Sequence, residues 1–308
     1  MTEVQTKPAA APAAAGPPAR RSPVKNAREA ATGWLFVLPF VVLLVAFLLL
    51  PMAYAFKLSL YRSTLIEGEH FALFENYTQA FKDPLVREGV LRVIVFGLIQ
   101  TPVMIGLALL AALLIDHATS RFARVFRLAA FVPYAVPVVI GTLMWGFLYS
   151  KDTGPLGSVL HIDFLSSSWV LASLGNVVTW QWAGYNMIVL YAALQGLPRE
   201  VYESARIDGA GPAQIAWRIK TPMISSAIVL ATLFTILGTL QFFTEPLILQ
   251  PLNPGSITQH YTPNVYAFNQ AFSFQQYNYS AAISFLLGAV VFVGSYLFLF
   301  ATRKRSAL

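Results

Sequence analysis

Long apolar stretches alternate with short polar ones along most of this chain. Six of the apolar stretches hold about 20 residues or more, the length of helix that crosses roughly 30 Å of hydrocarbon. We place the predicted spans near residues 34–56, 90–115, 128–149, 170–195, 223–248 and 279–301. Prolines fall inside or at the ends of several spans, so we expect kinked helices that pack against partners. The pattern predicts an all-α membrane protein with six transmembrane helices.

Composition agrees with a chain embedded in a membrane. Its 308 residues are 56% hydrophobic and 11% charged, whereas an average soluble domain is about 25% charged. The mean hydropathy is +0.61. A soluble protein of this length would have too little polar surface to cover its core. The absence of cysteine excludes disulfides and thiolate metal sites.

The predicted domain organisation has three parts. Residues 1–33 are rich in Ala and Pro, lack apolar periodicity, and are expected to form a disordered cytoplasmic tail. Residues 34–303 form the six-helix domain, and residues 304–308 form a second cytoplasmic tail. The first apolar stretch is too long for the core of a signal peptide and is followed by no small-residue cleavage site, so we expect an uncleaved anchor.

Positive charge predicts the orientation. An even number of spans places both termini on one side of the membrane, together with residues 121–127 and 197–222. That side holds fifteen of the 21 lysines and arginines, and the positive-inside rule makes it cytoplasmic. The net charge of +7 is then a signal of orientation in the plasma or inner membrane, and nucleic-acid binding loses its only support.

The sequence offers little that could carry out catalysis. The four histidines fall in separate predicted loops, and no metalloprotease, nucleophile-elbow or paired-carboxylate motif lies in the spans. The phosphate-binding pattern G-x-x-x-x-G-K-[ST] is absent, so this chain does not itself cradle a nucleotide. We therefore expect no catalytic residue, metal or cofactor on this chain.

Two polar and aromatic runs interrupt the apolar spans. In "NVVTWQWAGYNM", residues 176–187, helical spacing places Gln181, Trp182 and Tyr185 on one face. The run "GTLQFFTEP" carries Glu245 near membrane depth, as Arg92 does in the second span. Such groups either line a cavity for a polar ligand or join helices and reach the interface, and the sequence leaves both readings open.

The charged stretch at residues 197–222 predicts a helix, a sharp turn and a second helix. Gly209 is a good helix stop, and Gly211 followed by Pro212 makes a turn and a new helix start. A charged helix with exposed apolar residues suits docking into a groove on a partner. The alternative is a loop lying on lipid headgroups, but such loops seldom mix acidic and basic residues to this degree.

This stretch resembles the EAA loop of ABC-importer permeases. In "ESARIDGAGPAQIAWRIKTP" the matching positions are Glu203, Ala205, Asp208, Gly209, Ala210, Ile219 and Pro222, while Ser204 and Thr221 replace an Ala and a Leu. "FENYTQAFKDP" and "RLAAFVPYAVPVVIGTLMW" also resemble stretches of the carbohydrate importers, specifically the maltose-permease-like first subunit. The resemblance covers nearly all of residues 34–303.

The resemblance implies a type I ABC importer permease fold and a set of partners. These are a second homologous permease chain, two ATP-binding-cassette ATPase subunits that bind ATP and Mg, and an external solute-binding protein that delivers a sugar. It implies that the loop docks on the ATPase through Glu203, Ser204, Ala205, Asp208, Gly209, Ala210, Gly211 and Pro212. It also implies a substrate path through the fourth and fifth spans, lined by Gln181, Trp182, Tyr185, Thr235, Thr239, Gln241 and Glu245.

Two departures from the family pattern leave the solute open. The Gly-Gly-Pro turn usual after the fifth span is replaced by "LILQPLNPGSITQHYTP", and Leu91-Arg92-Val93 stands where an Asn-Thr pair is common. An oligosaccharide is expected, with glycerol-phosphate or another anion as the alternative. Residues 170–195 and 223–248 contain no Lys, Arg or His, which favours a neutral solute. The alternative from another class is a stand-alone secondary transporter, which would need no ATPase.

The coupling role of the loop is testable by mutation. Gly209→Pro or Glu203→Lys should abolish stimulated ATP hydrolysis in the reconstituted complex without preventing its assembly in the membrane, because each disrupts the docking helix or its charge. ATPase assays on the purified complex measure this. Full coupled transport by both variants would show that the loop is not the coupling element.

Overall fold

The fold is almost entirely helical. A computed structural model of the protein describes residues 23–64, 68–117 and 121–302. In the first half of this part of the chain the elements are α1 (Pro23–Leu44), a π-helical turn (Val45–Leu49), α2 (Leu50–Ser59), β1 (Tyr61–Thr64), β2 (Gly68–Phe71), α3 (Glu75–Lys82), α4 (Pro84–His117), α5 (Arg121–Ala135) and α6 (Val138–Tyr149). In the second half they are α7 (Pro155–Leu160), α8 (Val170–Gln195), α9 (Arg199–Ile207), α10 (Pro212–Ile215), a π-helical turn (Ala216–Lys220), α11 (Thr221–Met223), α12 (Ser225–Leu240), α13 (Thr244–Leu249), a 3-10 turn (Gln250–Leu252), α14 (Pro263–Phe272) and α15 (Tyr277–Thr302).

The chain divides into two units between Tyr54 and Ala55. In the first, α1 already begins at Pro23, inside the tail predicted for residues 1–33, because "VKNAREAA" is made largely of good helix formers. The rest of that tail, residues 1–22, and the tail at 304–308 lie outside the described residues. From residue 32 to residue 54 no side chain is buried, and the helix is apolar on all sides, as expected of a helix in lipid.

The π-helical turns each end two residues before a proline. One precedes Pro51 and the other precedes Pro222. A proline ring clashes with the carbonyl four residues earlier and cannot donate a hydrogen bond to it. The wider turn accommodates this clash: the amide of Thr221 bonds to the carbonyl of Ala216, five residues back. Each helix thereby continues past its proline.

Several helices could cross a membrane. Among the described residues, four are long and apolar enough: Thr32–Ser59, Pro84–His117, Ser225–Leu252 and Tyr277–Thr302. A fifth is possible if Ala123–Ala135 and Val138–Tyr149 count as one span, although they meet at an angle of 98°. Helix α8 has 26 residues, about 39 Å of helix, but polar residues within it lower its hydropathy. The protein is thus a multi-pass membrane protein with several apolar helices.

The bend differs from the continuous span predicted for residues 128–149. Pro137 cannot donate a hydrogen bond to Pro133, and its ring disfavours the α conformation at Val136. Helix α5 therefore ends at Ala135, where the amide of Val136 closes a tight turn on the carbonyl of Pro133, and α6 starts afresh at Val138. Two helices at a wide angle replace one straight helix.

The core of the second unit forms between α4 and α8. Met187 and Leu190 of α8 are almost fully buried in a cluster with Ile105, Ala108 and Leu109 of α4. Every fourth or third residue of α4 points into this contact, as the helical repeat requires. A second cluster around Phe96, Leu174 and Leu249 continues the packing along the same pair of helices. These two helices are therefore the frame on which the other elements of the unit sit.

Hydrogen bonds hold the loops that flank α4 and α15. Buried Asn76 of α3 donates to the carbonyls of Ser59 and Tyr61, which fixes the start of the antiparallel hairpin β1–β2. Asp83 accepts from the hydroxyls of Tyr266 and Tyr279 at 2.9 and 2.7 Å. Burial, together with Asp83, raises the pKa of Tyr266 to about 12, so this hydroxyl remains a donor at neutral pH.

A glycine determines how closely α5 approaches α8. A Cβ atom at Gly184 would lie 1.8 Å from the carbonyl oxygen of Ala130. We predict that Gly184→Ala forces the helices apart and lowers the free energy of unfolding by about 1–3 kcal/mol. The melting temperature of the purified protein in detergent measures this. Gly106→Ala, at a helical position with no atom within 4 Å, is the matched control and should not lower it.

Candidate functional site

The loop at residues 197–222 has the helix–turn–helix form that its sequence predicts. Helix α9 ends at Ile207, and the turn passes through Gly209 at φ +86°, a backbone conformation that favours glycine. The amide of Ala210 bonds back to the carbonyl of Ala205 and closes the helix end. Pro212 then occupies the first turn of α10, where its missing N–H costs nothing.

The surface of α9 is open in this chain. The helix contains no buried residue, and Ile207 at its end is 87% exposed. Glu203, Ser204 and Asp208 are exposed as well, and a Cβ atom at Gly209 would have no neighbour within 4 Å. An exposed helix with both charged and apolar side chains is a suitable docking element.

A cavity of about 470 Å³ lies among α4, the bend between α5 and α6, α8, α12 and residues 241–245. It contains six of the seven side chains predicted for the substrate path, namely Trp182, Tyr185, Thr235, Thr239, Gln241 and Glu245. These six side chains thus share one cavity, and their contact with a solute stays a prediction. The other lining residues are Phe96, Met104, Tyr134, Val138, Val178, Asn186, Phe234, Gly238, Phe242, Phe243 and Thr244.

Three aromatic rings form one wall of the cavity. Tyr134 stacks on Tyr185 with 4.9 Å between ring centroids, and its edge meets Trp182 at 5.3 Å. The two α8 rings remain 40% and 38% exposed, so their faces are available. Flat apolar faces beside hydroxyl and amide groups are typical of pockets that hold polar organic ligands such as sugars.

The polar side of the cavity consists of one carboxyl group and several uncharged groups. Glu245, at the start of α13, is 7% exposed and is the one ionisable carboxylate among the described lining residues, none of which is basic. Asn186 donates to Thr235 at 3.5 Å and to the sulfur of Met104 at 3.3 Å, which joins three of the cavity-forming helices. Among the described residues no group of His, Asp and Glu comes together that could hold a metal ion.

Gln181 is placed differently from the other predicted residues. Its side chain is buried outside the cavity lining, and its amide nitrogen donates to the carbonyls of Pro133 at 2.9 Å and Val136 at 2.7 Å. These are carbonyls at the bend between α5 and α6, where the helical hydrogen bonds stop. The geometry thus makes Gln181 a support for the bend that carries Tyr134.

Arg92 does not line the cavity either. Its guanidinium donates to the carbonyl of Tyr261 at 2.6 Å and lies over the Tyr261 ring, 4.4 Å from the centroid. This contact joins α4 to the segment between α13 and α14. Burial raises the pKa of the Tyr261 phenol, an effect that Arg92 partly offsets.

Some residues at these sites were missed by the sequence analysis. Tyr134 and Asn186 belong to the cavity, and Asp116, Gln195 and Lys220 form a cluster beside the charged loop. Lys220 was noted only as one charge of the loop. No local pattern identifies the others, because each is paired with a residue more than forty positions away.

Bent and broken apolar helices surround an aromatic and polar cavity, and an exposed charged helix follows them; these features suit a membrane transport subunit. The chain belongs to the family of binding-protein-dependent transport system inner membrane components, which matches residues 87–304. This is the family of ABC transporter permease subunits, which are not themselves enzymes.

Individual relatives match this chain over most of their length. The lactose transport system permease protein LacF of Rhizobium radiobacter is 29% identical over 284 residues, covering 89% of this chain and 94% of that protein. The arabinooligosaccharides transport system permease protein AraP of Bacillus subtilis is 27% identical over 275 residues, 86% of each. In fold, the chain is similar to one in the crystal structure of a bacterial alginate ABC transporter in complex with an alginate pentasaccharide-bound periplasmic protein, with a TM-score of 0.81, 19% identity, and coverage of 92% of this chain and 97% of that chain.

The role of Gln181 can be separated from solute binding. Gln181→Leu leaves the carbonyl of Val136 without its donor and the carbonyl of Pro133 with only the amide of Val136, and we predict a loss of about 1–3 kcal/mol in the free energy of unfolding. Thermal melting in detergent measures it, with Gln79→Leu, at an exposed position of α3, as the control. If Gln181→Leu instead weakened solute binding and left the melting temperature unchanged, Gln181 would be a ligand contact.

Proposed function

We propose that this chain is the permease subunit of an ATP-binding-cassette importer that translocates a sugar, most simply an oligosaccharide. The observation that carries the proposal is that one chain combines an aromatic and polar cavity between its helices with an exposed EAA-type loop. A cavity supplies the place for a solute, and the loop supplies a contact through which a separate ATPase can act on it. Catalysis by this chain is not required.

The proposed topology has six crossings with both termini in the cytoplasm. It adds α8 and the bent pair α5–α6 to the four apolar helices. The excess of Lys and Arg at residues 121–127 and 197–222 and in both tails supports this orientation. The charged loop and α9 are then cytoplasmic, and β1–β2, α3 and α14 lie on the outer side of the membrane.

The proposed partners follow from two features of the chain: its sequence lacks a nucleotide-binding motif, and its charged loop is exposed. Two ATPase subunits would bind ATP and Mg and contact Glu203, Ser204, Ala205, Asp208, Gly209, Ala210, Gly211 and Pro212. A second, homologous permease chain would complete the pathway, as the resemblance to the carbohydrate importers implies. A solute-binding protein outside the membrane is supported by the family description and by the periplasmic protein in the alginate transporter complex.

The proposed solute is neutral and rich in hydroxyl groups. Relatives named for lactose and for arabinooligosaccharides support a saccharide. The rings of Tyr134, Trp182 and Tyr185 suit the flat faces of sugar rings, and Glu245, Thr235 and Gln241 can bond hydroxyls. None of the described lining residues is basic, so an anion would lose its water without gaining a counter-charge.

Transport by the purified complex tests this function. The complex isolated through a tag on this chain should, in proteoliposomes, accumulate a neutral di- or trisaccharide only in the presence of MgATP and the binding protein. Tyr185→Ala should raise the half-saturating concentration roughly tenfold, equivalent to about 1.4 kcal/mol, whereas Tyr296→Ala, on the exposed face of α15, should not.

Charge selectivity supplies the second half of the test. The wild-type complex should reject glucuronic acid and glycerol 3-phosphate, because none of the described lining residues supplies a positive charge to an anion. Uptake of an anion in preference to every neutral sugar would contradict the proposed solute. Uptake that needs no ATPase would point instead to a secondary transporter.

A further inference from the structure

A largely buried ion pair joins the charged loop to two long helices. Nζ of Lys220, the last residue of the π-helical turn, lies 2.5 Å from Oδ2 of Asp116, and the two side chains are 13% and 9% exposed. The other carboxylate oxygen of Asp116 accepts from the amide of Gln195 at 2.6 Å. Asp116 and Gln195 stand at the carboxyl ends of α4 and α8. One carboxylate therefore ties together the loop and both helices.

The position of Asp116 is unfavourable without Lys220. An acidic side chain at the carboxyl end of a helix faces the negative end of the helix dipole. Removing most of its water costs further free energy unless a charged partner is close. The positive charge of Lys220 offsets both the helix dipole and the loss of water. Separating the two groups would leave each charge buried without compensation. The pair is consequently a stiff link.

Lys220 also reaches the docking helix. Its ammonium group lies over the ring of Tyr202, 4.5 Å from the centroid. Tyr202 and Ala205 are the half-buried residues of α9, whose other side chains are exposed. A displacement of α9 thus reaches Lys220 through a direct contact and through the short connection 208–219.

The helices held by Asp116 are those that form the cavity. Helix α4 contributes Phe96 and Met104 to the lining, and α8 contributes Trp182 and Tyr185. Tyr185 and Gln195 are ten residues apart on one helix, about 15 Å along its axis. Lys220 itself leads directly into α11 and α12, which carries Thr235 and Thr239. The three helices around the cavity converge at this ion pair.

We propose that the Asp116–Lys220 pair is the positioning element that transmits movement of α9 to the cavity-lining helices α4 and α8. This inference rests on the proposed function, in which a partner ATPase moves α9 during its cycle. Asp116 touches neither solute nor nucleotide; it fixes the ends of α4 and α8 to the loop. Loss of its charge therefore breaks the link between the cavity and the docking helix.

The absence of cysteine allows the connection to be measured directly. Gly238→Cys introduces the sole thiol of this chain, in the cavity lining and at a position with no atom within 4 Å of the new Cβ. The reagent is a membrane-permeant maleimide, applied to the complex purified through a tag on this chain, with any thiols of its partners removed. The rate of labelling is compared without nucleotide and with MgATP plus orthovanadate. We expect the rate to change about tenfold, within the usual range of coupling between sites.

Two substitutions decide whether the ion pair carries this response. In the Gly238→Cys background, Asp116→Asn should reduce the nucleotide-dependent change to less than about twofold, with the nucleotide-free rate unaltered. Exchanging the charges, with Asp116→Lys and Lys220→Asp together, should restore part of the response. Asp152→Asn, an exposed acidic residue in another loop, is the matched control.

Other outcomes have defined meanings. A full response in Asp116→Asn overturns the inference, as does a lower melting temperature with an unchanged response, which would make the pair merely structural. If Asp116→Asn does not assemble, Lys220→Gln, which retains the Asp116–Gln195 contact, is judged by the same ratio. If nucleotide does not change the labelling rate of the Gly238→Cys complex with its ion pair intact, the proposed ATP-driven function fails, and the ion pair has no movement to transmit.

Discussion

The structure depends on one constraint, that backbone polar groups placed in hydrocarbon must find partners within the protein. At most positions a continuous helix meets it. At the bend between α5 and α6 the helix stops, and Gln181 of the neighbouring α8 supplies the missing donors. That repair allows Tyr134 and Val138 to turn toward the cavity. The bend and the cavity are therefore consequences of the same pair of prolines and one buried amide.

Charge is scarce in this chain, and several of the buried or half-buried charged side chains make distinct contacts. Arg92 ties α4 to the segment around Tyr261, Asp83 gathers two tyrosine hydroxyls, and Asp116 receives Lys220. Glu245 differs because it faces the cavity, whose described lining residues include no basic side chain. An isolated charge is costly to bury, and the cavity is the space from which water or a ligand can reach the Glu245 carboxyl.

The sequence predicted what depends on local pattern. Runs of apolar residues gave the approximate positions of the helices, and the glycines and Pro212 gave the turn after α9, because these signals lie within a few residues of one another. Helical spacing placed Trp182 and Tyr185 on one helix face together with Gln181. The two rings line the cavity, whereas the side chain of Gln181 points to the bend. The contacts of Tyr134, Asn186 and Asp116 bring together residues far apart in the chain, so they follow from the packing of whole helices and carry no local signal. The sharp angle at Val136 was also missed, because prolines of membrane helices cause kinks of any size.

The π-helical turn at Ala216–Lys220 has a consequence for how such a chain can change. It holds one residue more than an α-helical turn would, and one residue corresponds to about 100° of rotation around a helix axis. The number of residues in this turn thus sets the direction in which the charged loop projects from α12. A single insertion or deletion in this turn would rotate the loop about the axis of α12 while every side chain on either side remained the same. A change of length at this turn is therefore enough to redirect the loop.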